Sequence, residues 1–153
     1  MNDMNMIKED YVNFETAKLL NEKGFWNRKI ERRYILNDVS VYRWICGNSY
    51  KEFKSGELVT YRDQEFLYHE IIENSIDAPT LQMAMKWLRE KHNLHIGPYS
   101  KGLQGWSFQI FNLGKGDMFG CKPIYTEMLS GNFTRTYEEA CEEGIIYCLE
   151  NLV

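Results

Sequence analysis

Between Ala78 and Ile96 the apolar residues Leu81, Ala84, Met85 and Leu88 recur at i, i+3, i+4 and i+7, the spacing that lines one face of a helix. Met83 and Trp87 widen this stripe, while Gln82, Lys86, Arg89 and Glu90 fall on the water side. Pro79 suits the first helical turn, where its missing N–H would have no partner in any case. Asn93 suits the left-handed conformation that ends a helix. Leu94, His95 and Ile96 then change the pattern, so helix passes into strand almost without a loop. The spacing predicts a helix docked on the sheet it feeds, with the rest of the chain packed around it.

Upstream, residues 1–12 are polar and Met-rich and are expected to be frayed or only partly ordered. Asn13 can cap a helix in which Phe14, Ala17 and Leu20 share a face, and Gly24 can close it. Phe25 and Trp26 are expected to anchor its exit. Tyr34–Ile45 is rich in β-branched and aromatic residues and predicts a strand. Cys46, Gly47, Asn48 and Ser49 supply turn chemistry, so Tyr50–Lys54 is expected to return as a hairpin partner. Gly56 marks another turn. Leu58–Tyr61 and Phe66–Ile72 read as strands, and Phe66–Glu73 also fits a short helical turn.

Downstream, Leu94–Tyr99 and Trp106–Phe111 predict a hairpin, after which Gly114, Gly116 and Gly120 break the pattern. Thr136 and Glu139 have the spacing of a capping box. Tyr137, Cys141, Ile145, Cys148 and Leu152 supply an apolar face, and Glu138, Glu139, Glu142 and Glu143 suit the positive end of the helix dipole. Ala140 and Gly144 stand four apart, and Gly144 costs such a helix about 1 kcal/mol against Ala, which points to a close backbone contact there. The order is roughly α-β-β-α-β-β-α, an α+β class of antiparallel sheet packed against helices. No repeat or linker divides the chain, so residues 1–153 are expected to make one domain.

Composition narrows the function classes. With 44% hydrophobic and 26% charged residues the chain has a globular balance. A formal charge of −4 argues against a dedicated sequence-independent nucleic-acid binder, although a local basic patch is compatible with it. The N-terminus lacks the apolar core of a signal peptide and no later run approaches a membrane span, so a cytoplasmic protein without membrane contact is expected. Cys46, Cys121, Cys141 and Cys148 form no C-x-x-C pair and read as reduced core thiols.

The phrases APTLQMAMKWLREKHNLHI and YEEACEEGIIYCLENLV, with DYVNFETAKLLNEKGF near the start, resemble a group of short uncharacterised proteins of Bacteroidetes and their phages and mobile elements. Together they cover about a third of the chain in the right order. The resemblance implies membership but supplies no activity, cofactor or catalytic residue. Trp26–Asn74 departs most from that pattern, with a more basic start, and a specific partner is expected to be set there.

Candidate chemistry is sparse. His92 and His95 form an H-x-x-H pair to which Cys46 or Cys121 could add a ligand, but the spacing straddles a helix end and no second ligand pair stands nearby. No metal and no cofactor is expected. The GKGDMFG run, residues 114–120, lacks the order of a phosphate loop and reads as a connection. Acidic pairs such as Glu70 with Glu73 and Glu142 with Glu143 read as solvated faces, and no residue is assigned as catalytic.

Two binding surfaces stand out. Trp26, Arg28, Lys29, Arg32, Arg33 and Tyr34 combine cations with rings and could hold phosphates and stack bases, although Glu31 interrupts them and a solvated edge strand fits the same residues. Trp44, Trp87 and Trp106 offer aromatic area of the kind found at interface centres, against the alternative of core lining. The leading expectation is a non-enzymatic accessory factor of phage or mobile-element origin that binds another protein. Nucleic-acid association through residues 26–34 is the alternative, disfavoured by net charge.

Overall fold

The computed structural model describes residues 9–26, 32–44, 48–60, 72–116, 120, 122–128 and 135–153, and of 41–44 and 48–51 the backbone. Its class is α+β, with antiparallel sheets and helices. The element over Leu81–His92, α2, is the helix that the apolar spacing predicts, with Leu81, Ala84, Met85 and Leu88 buried. Thr80 caps it by accepting from the Met83 N–H, so Pro79 stands before the cap and not in the first turn. The Pro79 carbonyl instead accepts from the Val12 N–H at 3.0 Å. Asn93 ends the helix at φ 55°, as the pattern indicates.

Tyr11 and Val12 are an ordered part of the stretch expected to be frayed or only partly ordered. Val12 is fully buried, Tyr11 bridges to Thr80, and the Asp10 carbonyl accepts from the Leu81 N–H. Backbone hydrogen bonds to residues some seventy positions away hold a segment whose composition alone looks unstructured. Residues 1–8 lie outside the described residues. The first helix, α1, covers Phe14–Glu22 with Asn13 accepting from the Thr16 N–H. Phe25 packs into the core, whereas Trp26 is 66% exposed.

The apolar run Tyr34–Ile45 is two strands, β1 (Arg32–Ile35) and β2 (Val39–Trp44), which join different sheets. Leu36 and Asn37 make the bend between them. Asp38 accepts from the Ser55 N–H at 2.8 Å, and this bond and Lys54 hold its carboxyl below the usual range. The expected hairpin forms between β2 and β3 (Asn48–Phe53), with Asn48 and Ser49 inside the strand and not the turn. The strand expected over Leu58–Tyr61 is β4 (Leu58–Thr60), and it pairs with β1. The other neighbour of β1 is β5 (Ser75–Asp77), a short strand that the sequence pattern does not announce. Phe66 to Ile71 lie outside the described residues.

An antiparallel meander is formed by β6 (Leu94–Ser100), β7 (Trp106–Asn112) and β8 (Pro123–Thr126). The C-terminal helix α3 (Tyr137–Asn151) begins with the capping box of Thr136 and Glu139. It lies on β6 and β7 beside α2. Gly144 explains the close fit: a Cβ there would stand 2.7 Å from Ile96 Cγ2 and 3.4 Å from Phe108. Leu149, not Leu152, completes the buried face; Leu152 follows the last helical residue and is exposed. Tyr125 of β8 stacks on Tyr147 of α3 at 3.8 Å.

The main core therefore joins α1, α2 and α3 to one face of the meander and to Ile76 of β5. A second, smaller cluster of Ile35, Phe53 and Val59 packs the β2–β3 hairpin against the other sheet. Among the described residues, no helix is long and apolar enough to cross a membrane.

Candidate interaction surface

Several chain segments converge at the end of the meander where β6 turns into β7. Gly105 has φ +82°, a region that favours glycine. A Cβ there would also collide with the Arg135 backbone, whose carbonyl accepts from the Trp106 N–H at 2.9 Å. That contact brings the approach to α3 alongside the turn. The Arg135 guanidinium bonds Glu127 Oε2 at 2.6 Å, and Ser107 Oγ donates to the same oxygen at 2.9 Å. Tyr99 OH donates to the Glu127 carbonyl at 3.3 Å, and Trp106 meets Tyr137 edge to face at 5.2 Å. Both charges of the ion pair are largely covered, so the pair is less open to salt screening than a surface pair.

On this braced end two large apolar side chains stand in water. Leu103, in the turn Gly102–Gln104, is 97% exposed, and Met128, just past β8, is 86% exposed. A cavity of about 230 Å³ opens nearby at the N-termini of α2 and α3, with Glu9, Asp10, Leu81, Gln82, Tyr137 and Glu138 among its walls. Burial raises the Tyr137 phenol above its ordinary value, and a hydrogen bond with Gln82 opposes the rise.

The aromatic candidates divide. Trp106 is half-buried and belongs to this end. Trp87 is half-buried against the main core, edge-on to Phe25 at 5.6 Å and to His92 at 4.6 Å. The Trp44 side chain lies outside the described residues. Trp87 and Trp106 therefore sit in different surroundings.

Of the basic and aromatic segment, Arg32, Arg33 and Tyr34 are engaged within the fold. Arg33 forms an ion pair with the buried Asp77, donates from Nε to Ser75 Oγ at 2.7 Å and from Nη2 to the Ser75 carbonyl at 3.0 Å. Tyr34 donates to the Val12 carbonyl at 2.7 Å, and Arg32 lies over the Tyr11 ring at 4.5 Å. Trp26 remains exposed, and Arg28 and Lys29 lie outside the described residues.

His92 and His95 are engaged by different neighbours, Trp87 and Phe111 respectively. Burial, with Arg89 nearby, lowers the His95 imidazole below its ordinary value, and its Nδ1 has no partner among the described residues. No group of three or more His, Cys, Asp or Glu among the described residues could hold a metal ion. In the glycine-rich loop, Leu113 N–H is bonded to the Asn93 carbonyl, Gly114 N–H to Asn112 Oδ1 and Lys115 N–H to the Asn112 carbonyl. Those donors are used by the chain itself, which fits a connection; residues 117–119 lie outside the described residues. Glu142 accepts from the Asn13 N–H at 3.0 Å, so it is not a solvated face residue but a tie between α3 and α1.

No family model, curated protein or solved structure matches the chain. Leu103 and Met128 escape a reading by periodicity because neither belongs to a repeating stripe. The available signal is a lone leucine between Gly102 and Gly105, where turn chemistry calls for polar residues.

Proposed function

We propose that this protein is a non-enzymatic accessory factor that binds another protein through the β6–β7 end of the meander. The observation that carries the reading is the exposure of Leu103 and Met128 beside half-buried Trp106. Burying two such side chains contributes about 1.5–3 kcal/mol each when they are fully covered. The braced turn beneath them reduces the ordering cost of association. The sequence resemblance supports an origin in phage or mobile elements, and the free, buried thiols of Cys141 and Cys148 support action in the cytoplasm.

The decisive experiment compares the tagged chain with Leu103→Asp and Met128→Lys variants in nuclease-treated host lysate. A stoichiometric protein that accompanies the parent and is lost from both variants, with thermal unfolding unchanged, is the expected result. Equal recovery by all three chains would remove this surface from the proposal. The alternative through residues 26–34 is disfavoured by the structural roles of Arg33 and Tyr34.

A further inference from the structure

The meander has a second face, turned away from α3. Strand register places His95, Gly97 and Tyr99 of β6 on it, together with Ser107, Gln109 and Phe111 of β7. Two of its rings cross the sheet above small residues. Tyr99 stands opposite Ser107 and reaches the Glu127 carbonyl at 3.3 Å, so its ring spans β7. Phe111 leans back over Gly97, where a Cβ would stand 3.0 Å from its ring. The His95 ring lies 6.0 Å from Phe111. Gly97 and Tyr99 are two residues apart, roughly 7 Å along a strand, which is about twice the rise per nucleotide of a stacked duplex strand. An extended single strand can place successive bases at such a spacing.

Charge is divided in the same sense. Between Leu94 and Thr126 the sequence carries Lys101, Lys115 and Lys122 and a single acid, Asp117, whereas Tyr137–Asn151 carries five glutamates and no lysine or arginine. The net charge of −4 thus contains an acidic helix packed on the meander and three lysines in the turns that join its strands. Lys101 lies 5.8 Å from the Tyr99 ring at one end of the face. Lys115 and Lys122 stand exposed at the other, where β7 ends and β8 begins. Glu127, the carboxylate nearest the Tyr99 end in the bonding pattern, is neutralised by Arg135.

We infer that this face binds single-stranded nucleic acid, with bases stacked on Tyr99 and Phe111 and phosphates held by Lys101, Lys115 and Lys122. Rings supply sequence-tolerant contact because every base has a π-face, and lysines supply the salt-dependent term. The proposal goes beyond the protein-binding reading, and Phe111, Lys115 and Lys122 lie at the opposite end of the strands from Leu103 and Met128.

The test is fluorescence anisotropy of labelled dT20 and U20 with the full chain. If about three phosphates are neutralised, affinity falls roughly twentyfold between 50 and 200 mM salt. Phe111→Leu, which keeps an apolar side chain but removes the ring, is expected to weaken binding about tenfold. The double variant Lys115→Glu, Lys122→Glu is expected to weaken it at least as much, and its exposed positions leave circular dichroism unchanged. Absence of binding at 50 mM salt, equal affinity for a duplex of the same length, or full retention by the folded lysine variant would overturn the inference. Displacement by poly-glutamate as effectively as by unlabelled dT20 would also overturn it, assigning the face to an acidic peptide.

Discussion

Replacing Gly144 by Ala sets two effects of known sign against each other. Intrinsic helix propensity favours the alanine by about 1 kcal/mol. The packing opposes it, because the new methyl would stand 2.7 Å from Ile96 Cγ2, well inside the roughly 3.5–4.0 Å of a favourable carbon contact. Ile96 and Phe108 are both buried, and a β-branched side chain on a strand has little χ1 freedom with which to retreat. Overpacking of this kind costs about 1–3 kcal/mol, so the net expectation is a loss of about 1 kcal/mol. Urea unfolding followed by circular dichroism reads this as a lower midpoint with an unchanged slope. Ile96→Leu moves the branch away from Cβ and removes the offending methyl. In that background the alanine should show its intrinsic gain of about 1 kcal/mol, a coupling of about 2 kcal/mol. A single Gly144→Ala variant that gains the full 1 kcal/mol would refute the proposed fit between α3 and the meander.

Three further expectations follow from other contacts. Arg33→Ala removes the guanidinium from a buried carboxylate and should destabilise by about 3 kcal/mol; a change of a few tenths in urea unfolding would show that Arg33 is a surface cation after all. Burial raises the Glu142 carboxyl above 4.5, against the opposing Asn13 N–H. Folding therefore binds a proton more tightly, and this contribution is present below the unfolded value and lost as pH rises through the folded one. Glu142→Gln should gain on the parent as pH rises through that window, and a parallel pair of stability curves would refute the assignment. Cys141 and Cys148, pushed up by burial to about 11 and about 12, should resist iodoacetamide in the native state at pH 8 and react on unfolding. Peptide mapping that finds Cys141 labelled as fast in native as in denatured protein would contradict the buried-thiol placement.

The local elements were legible because their signals are local. Asn13, Asn93 and the pair Thr136 and Glu139 satisfy backbone groups within one or two turns of themselves, so their roles are written in short spacings. The stripe of Leu81, Ala84, Met85 and Leu88 and the pairing of β6 with β7 follow from periodicity in the same way. The candidate surfaces were legible only in part. Trp106 was named from its residue type, but Leu103 and Met128 gain their meaning from the turn and strand end that place them at one end of the meander.

What only the tertiary structure decided involves partners distant in sequence. Arg33 reads as a phosphate ligand until Asp77, 44 residues later, is set beside it by the β1–β5 register. Val12 reads as part of a loose end until Pro79 bonds it, and Tyr34–Ile45 reads as one strand until the two halves find different sheets. Periodicity states that a side chain must be covered, and capping states where a helix begins. Which residue does the covering depends on long-range pairing, whose free energy is absent from any short window of the chain.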